Sequence, residues 1–158
     1  MDIRNHTISI LVNNKPDVLA RIAGIFSGRG YNIESISANV TMNPELTKII
    51  IVTVGNTATV TQIQKQLKKL VDVITVSRAR ESKHAQREMA LVRITLHEGT
   101  LNEITKLVEE LKCRIAVKKP DHCVVEITGN KEEVDLALTR FDAIGIDDVS
   151  RSGIVTLS

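Results

Sequence analysis

Apolar and polar positions alternate along His6–Val12 (HTISILV), the period of a half-buried strand. The chain then breaks at Asn13-Asn14-Lys15-Pro16. Beyond the break, Val18, Leu19, Ile22, Ile25 and Phe26 recur at helical spacing, with Arg21 off the stripe. Pro16 suits the first turn of that helix, where its missing N–H goes unused, and Asp17 suits the positive end. Gly28-Arg29-Gly30 ends the helix. Tyr31–Val40 alternates again, Met42–Glu45 with Pro44 is a turn, and Thr47–Val54 (TKIIIVTV) is a strongly apolar strand closed by Gly55-Asn56. Thr57 or Thr59 is placed to cap a second helix, which carries Val60, Ile63, Leu67, Leu70 and Val71 on one face. Asp72–Ser77 completes a last strand.

The order β-α-β-β-α-β predicts a ferredoxin-like unit, an antiparallel four-stranded sheet with both helices on one face. Residues 78–88 (RARESKHAQRE) are dense in charge and poor in apolar anchors, and read as a linker. The order then repeats. Met89–Leu96 reads as a strand, Leu101–Leu111 as a helix, Cys113–Val117 and His122–Thr128 as a hairpin, Glu132–Phe141 as a helix, and Ile144–Leu157 holds a final strand. The fold class is α+β: two ferredoxin-like (βαββαβ) domains, residues 1–77 and 89–158, joined by 78–88. Domains this small bury modest cores, and each leaves a sheet face or edge open, so association into a homodimer is expected.

Composition narrows the function. Phe26, Phe141 and Tyr31 are the only aromatic residues, too few for a single-strand nucleic-acid binder that stacks bases. Residues 1–80 hold ten Lys/Arg and five Asp/Glu, whereas 81–158 hold eleven and fourteen; the first half is too weakly basic to argue for nucleic acid. No apolar run approaches the roughly 20 residues of a membrane span. The N-terminus has no basic start followed by an apolar block, so no secretory signal is expected. Cys113 and Cys123 fall on the two arms of one hairpin. Cys123 is expected about opposite Val117, which puts it roughly 13 Å from Cys113, too far for a disulfide. Two free thiols fit a reducing, cytoplasmic setting.

No catalytic constellation is legible. His6, His84, His97 and His122 lack neighbours at metal-ligand spacing, and the adjacent pair His122-Cys123 points to opposite faces of a strand. Glu109-Glu110, Glu132-Glu133 and Asp147-Asp148 are contiguous, a spacing that suits a solvated surface rather than an acid–base dyad. One feature points to binding. The loop Asn13–Pro16 runs into a helix N-terminus, where the N–H groups of Asp17, Val18 and Leu19 offer a carboxylate site and Asn14 offers an amide. A plainly capped helix start explains the same residues.

Four runs carry a family resemblance: Asn14-Lys15-Pro16-Asp17-Val18-Leu19 with Arg21–Ser27; Arg29-Gly30-Tyr31-Asn32-Ile33-Glu34-Ser35; Gln62–Val73; and Arg87–Val92 with the closing Arg151-Ser152-Gly153. Together they resemble the regulatory (small) subunit of acetolactate synthase, whose N-terminal domain is an ACT domain, a ferredoxin-like amino-acid sensor.

The resemblance implies a non-catalytic subunit with no cofactor or metal of its own. Thiamine diphosphate, Mg and FAD are expected only in the catalytic (large) subunit, its partner. The small subunit would activate that partner and confer feedback inhibition by a branched-chain amino acid, usually valine, in branched-chain amino-acid biosynthesis. The effector would sit between ACT domains of two copies, on Asn14, Asp17, Val18 and Leu19 of one copy with Asn32 and Ile33 of the other. Asp17 stands where the ACT motif usually has Gly. A carboxylate at about 5 Å and an effective dielectric of about 20 repels another by roughly 3 kcal/mol, or about a hundredfold in affinity. Asp17 is therefore expected to occupy the helix end itself and to weaken the effector. The alternatives are a free-standing ACT regulator responsive to an amino acid or a metal, for which no DNA-reading helix is visible, and an enzyme using the second domain.

Overall fold

The computed structural model describes residues 2–80 and 83–158. Its elements are β1 (Arg4–Asn13), α1 (Val18–Gly28), β2 (Ile33–Val40), β3 (Leu46–Gly55), α2 (Thr57–Lys68), β4 (Val73–Ala79), β5 (Ala85–Thr95), α3 (Thr100–Leu111), β6 (Arg114–Lys118), β7 (His122–Gly129), α4 (Lys131–Asp142), β8 (Asp148–Arg151) and β9 (Val155–Leu157). They form two compact units, Met1–Ala85 with Ile154–Ser158, and Gln86–Gly153.

The first unit is an antiparallel sheet in the order β2-β3-β1-β4. Its core follows from the period-2 rule. Ile8, Ile10 and Val12 of β1 share a face with Ile49 and Ile51 of β3, with Ile8 opposite Ile51 and Ile10 opposite Ile49. Val18, Ile22 and Phe26 of α1 and Val60, Ile63 and Leu67 of α2 bury onto that same face. Each such side chain contributes about 1.5–3 kcal/mol through burial. The other face is not left open throughout. Ile50 and Val52 are buried, and on that face Ser35 Oγ accepts from the N–H of Ile154, 3.3 Å away.

The second unit repeats the order as β6-β7-β5-β8. Ala90, Val92 and Ile94 of β5 and Cys123, Val125 and Ile127 of β7 meet Ile104 and Leu107 of α3 and Val134, Ala137 and Phe141 of α4. The α+β class with two ferredoxin-like units therefore stands.

Several local expectations need correction. Helix α1 begins at Val18, not Pro16, because the Val18 N–H donates to Lys15 O at 3.3 Å and closes a turn first. Leu19 is 43% exposed and lies off the buried stripe. Asn56, rather than Thr57 or Thr59, caps α2; its Oδ1 accepts from the Thr59 N–H at 2.8 Å. Helix α2 ends at Lys68, so Val71 leaves the helical stripe and is 90% exposed. The expected linker 78–88 is largely strand. β4 runs through Ala79, which pairs with Thr7, and β5 starts at Ala85. Glu81 and Ser82 of that stretch lie outside the described residues. The single strand expected in Ile144–Leu157 is two, β8 and β9, separated at Gly153 (φ 83°), a backbone angle that favours glycine. Beyond that break, Ile154–Ser158 group with the first compact unit. Cys123 lies opposite Lys118, not Val117, because the β6–β7 register shifts between Ile115 and Val117. Both cysteines are free thiols.

Candidate functional site

The loop between β1 and α1 is tied down from two sides. Asn14 leans on the β2–β3 turn: its N–H donates to Glu45 O at 2.8 Å and its Nδ2 to Pro44 O at 3.0 Å. Asn13 and Lys15 lean on Asp72, in the short connection between α2 and β4. The Asn13 N–H donates to Asp72 O at 2.9 Å, its Nδ2 to Asp72 Oδ1 at 3.2 Å, and Lys15 Nζ reaches the same Oδ1 at 3.1 Å. Hydrogen bonds from Asn13 and then Lys15 hold the Asp72 carboxyl below its ordinary value, against the opposing effect of burial.

Asp17 does not behave as expected. Its side chain makes no capping hydrogen bond to the helix end. Its Oδ2 instead lies 2.6 Å from Arg21 Nη2, one turn along α1. Arg21 also extends Nη1 towards Asp72 Oδ2, 3.9 Å away. The carboxylate expected to occupy the helix N-terminus is thus turned along the helix and paired. The first turn of α1 keeps the N–H groups that have no intrahelical acceptor, except that the Val18 N–H is engaged by Lys15 O. Val18 itself is a core side chain, so only its backbone belongs to the loop, while Leu19 faces outward.

Asn32 and Ile33 sit past the other end of α1. There Gly30 (φ 70°) turns the chain and the Tyr31 N–H donates to Phe26 O at 2.8 Å. The Asn32 carbonyl accepts from Thr53 Oγ1 at 2.7 Å, and Ile33 packs half-buried against the first core, opposite Thr53. An α-helix of 11 residues is about 16 Å long, so one chain does not bring Asn32 and Ile33 to Asn14, Asp17, Val18 and Leu19. Sequence reasoning missed Asn13, Lys15, Arg21 and Asp72 at this loop. The available signal was Asp72 itself, a carboxylate set between two valines.

In the second unit, Cys123 is a core residue whose thiol is pushed up by burial, which removes it as a nucleophile. His122 projects to the opposite face and its Nδ1 lies 2.8 Å from Asp121 Oδ1. Among the described residues, no three His, Cys, Asp or Glu side chains gather as a metal-ligand set, and no helix is long and apolar enough to cross a membrane.

Two family models match the chain in two successive stretches. One, described as an AHAS small subunit-like ACT domain, matches residues 8–75, and the other, described as the small subunit of acetolactate synthase, matches residues 87–158. This chain belongs to the acetolactate synthase small-subunit family. The acetolactate synthase small subunit of Mycobacterium bovis is 34% identical over 158 residues, covering 100% of this chain and 94% of the relative. A protein of Archaeoglobus fulgidus, named a probable acetolactate synthase small subunit, is 38% identical over 152 residues, with 96% and 95% covered. The crystal structure of the acetolactate synthase small subunit from Thermotoga maritima superposes with a TM-score of 0.88 at 33% identity, covering 98% of this chain and 96% of that one. These relatives are named as the small subunit, not the catalytic one, and the first unit here is an ACT domain.

Proposed function

We propose that this chain is the non-catalytic regulatory subunit that activates the thiamine-diphosphate-dependent catalytic subunit of acetolactate synthase. It would also carry feedback by a branched-chain amino acid, valine, bound between the ACT domains of two copies. The cofactors would stay with the catalytic partner.

The observation that carries the feedback part is the pairing of Asp17 with Arg21. It draws the one awkward negative charge away from the α1 N-terminus, and the first-turn N–H groups then suit the effector's carboxylate. Exposed Leu19 and half-buried Ile33 suit an aliphatic side chain, and an Asn side chain suits the ammonium. Because α1 separates the two groups of residues, Asn32 and Ile33 would come from the second copy. Edge strand β2, with Ile36 and Val40 exposed, offers a surface for that copy. An effector shared between copies binds the paired state more tightly than the separate one, which is how it shifts the assembly.

Sedimentation of the chain at micromolar concentration, with calorimetric titration of valine, leucine and isoleucine, tests this. A dimer that takes up valine supports it. A monomer at all concentrations with no heat from any of the three would remove the shared site.

A further inference from the structure

We propose that Asp72 is a positioning residue for the effector loop: from outside the site, it holds Asn13, Lys15 and Arg21 in the arrangement that leaves the α1 N-terminus open. This deepens the proposed regulatory site and rests on that function.

Asp72 is the hub of the loop. Its side chain is only 10% exposed, whereas Lys15 and Arg21 are more than half exposed. Its main-chain carbonyl and Oδ1 receive Asn13 twice, and Oδ1 also receives Lys15. Its Oδ2 faces Arg21 Nη1 at 3.9 Å while Arg21 Nη2 holds Asp17 at 2.6 Å. The series Lys15–Asp72–Arg21–Asp17 therefore alternates in sign and closes with no net charge. Two consequences follow for an incoming carboxylate. The loop that presents the first-turn N–H groups is fixed in advance, which lowers the ordering cost of binding. Arg21 is held between two carboxylates, so Asp17 stays directed along the helix instead of swinging to the helix end, where its own charge would compete with the ligand. Val71, beside it on the α2–β4 connection, points to solvent. Asp72 acts through Asn13, Lys15 and Arg21, the residues it is bonded or paired to.

The test uses the full chain with Asp72→Ala, Asp72→Asn and a core variant, Ile63→Val, as a control for general destabilisation. Hydrogen exchange of the ligand-free chain reads the loop directly. Asp72→Ala is expected to speed exchange in residues 13–19 by about tenfold, Ile63→Val to leave that segment within about twofold of the parent, and Asp72→Asn to fall between them. The Asn carbonyl still accepts from Asn13 and Lys15 but no longer holds Arg21 by charge. Valine titration should show a dissociation constant about tenfold higher for Asp72→Ala and unchanged for Ile63→Val. Equal exchange in residues 13–19 for Asp72→Ala and Ile63→Val would overturn the positioning role. A parent chain that takes up no valine would overturn the feedback site instead, and the exchange comparison would still decide the role of Asp72.

Discussion

Arg151 of β8 lies along Glu88 of β5. Its Nη2 is 2.9 Å from Glu88 Oε2, its Nε bonds to Glu88 Oε1, and the same Nη2 reaches Asp135 Oδ1 of α4 at 2.9 Å. The Glu88 side chain is 3% exposed, and the Glu88 bond holds the Arg151 guanidinium far above its ordinary pKa. Asp135 is pushed up by burial, but its bonds from Lys131 and Arg151 outweigh this and leave it below the ordinary value. The two ends of the second unit's sheet sequence are thereby fastened to each other and to a helix.

Removal of either partner has unequal consequences. Arg151→Ala leaves the Glu88 carboxylate buried without its partner and is expected to cost about 3–5 kcal/mol, the range for breaking a buried pair. Glu88→Gln leaves Arg151 with Asp135 and is expected to cost about 1–2 kcal/mol. Urea unfolding followed by hydrogen exchange in β5 and β8 would separate the two. Equal losses would show that the burial of Glu88 does not set the cost.

Acid should loosen the first unit through His6. Its ring is buried and Nε2 bonds with Gly55 O at 2.9 Å. Burial lowers its pKa from 6.5; the Gly55 carbonyl works the other way, and Arg78 and Arg4 reinforce the lowering. The folded state thus resists protonation more than the unfolded one does. The contribution of His6 is full above pH 6.5 and is lost as pH falls below that towards the lower folded-state value. The melting temperature is expected to drop between pH 7 and pH 5, and the drop should be smaller in His6→Gln. An identical fall in both proteins would assign the pH dependence to other groups.

Asp17 should have little grip on the effector. The roughly 3 kcal/mol of repulsion expected from an unpaired carboxylate at about 5 Å applies to a charge that faces the ligand. Here the charge is paired with Arg21. Asp17→Asn is therefore expected to tighten valine by less than about tenfold, read by calorimetry. A gain of about a hundredfold would show that the carboxylate turns back to the helix end in solution.

The repeated βαββαβ order was legible because the cores are built from simple periods, such as Ile8-Ile10-Val12 along a strand and Val18-Ile22-Phe26 along a helix. Punctuation was less legible. Asn56 and Asn130 both cap helices through Oδ1, but Thr57 and Thr59 are also favoured cap types. Leu19 falls on the outer side of α1 and Val71 lies beyond the end of α2, so apolar residue type alone placed both on a buried stripe that they do not join. Of the site, Asn14 and the α1 N-terminus were visible as a loop running into a helix. Asp72 was not, because its partners are remote in sequence: Asn13 lies 59 residues away, and Lys15 and Arg21 also belong to the start of the chain. The orientation of Asp17 depends on Arg21, whose role at the loop a stripe-based reading treats only as solvent-facing.

The most direct measurement is acetolactate formation by a family catalytic subunit, assayed alone, with this chain, and with this chain plus valine. The chain alone should form none, its addition should raise the catalytic rate, and valine should reverse the gain only when the chain is present. An unchanged rate in a mixture where complex formation is seen by co-elution would contradict the regulatory role.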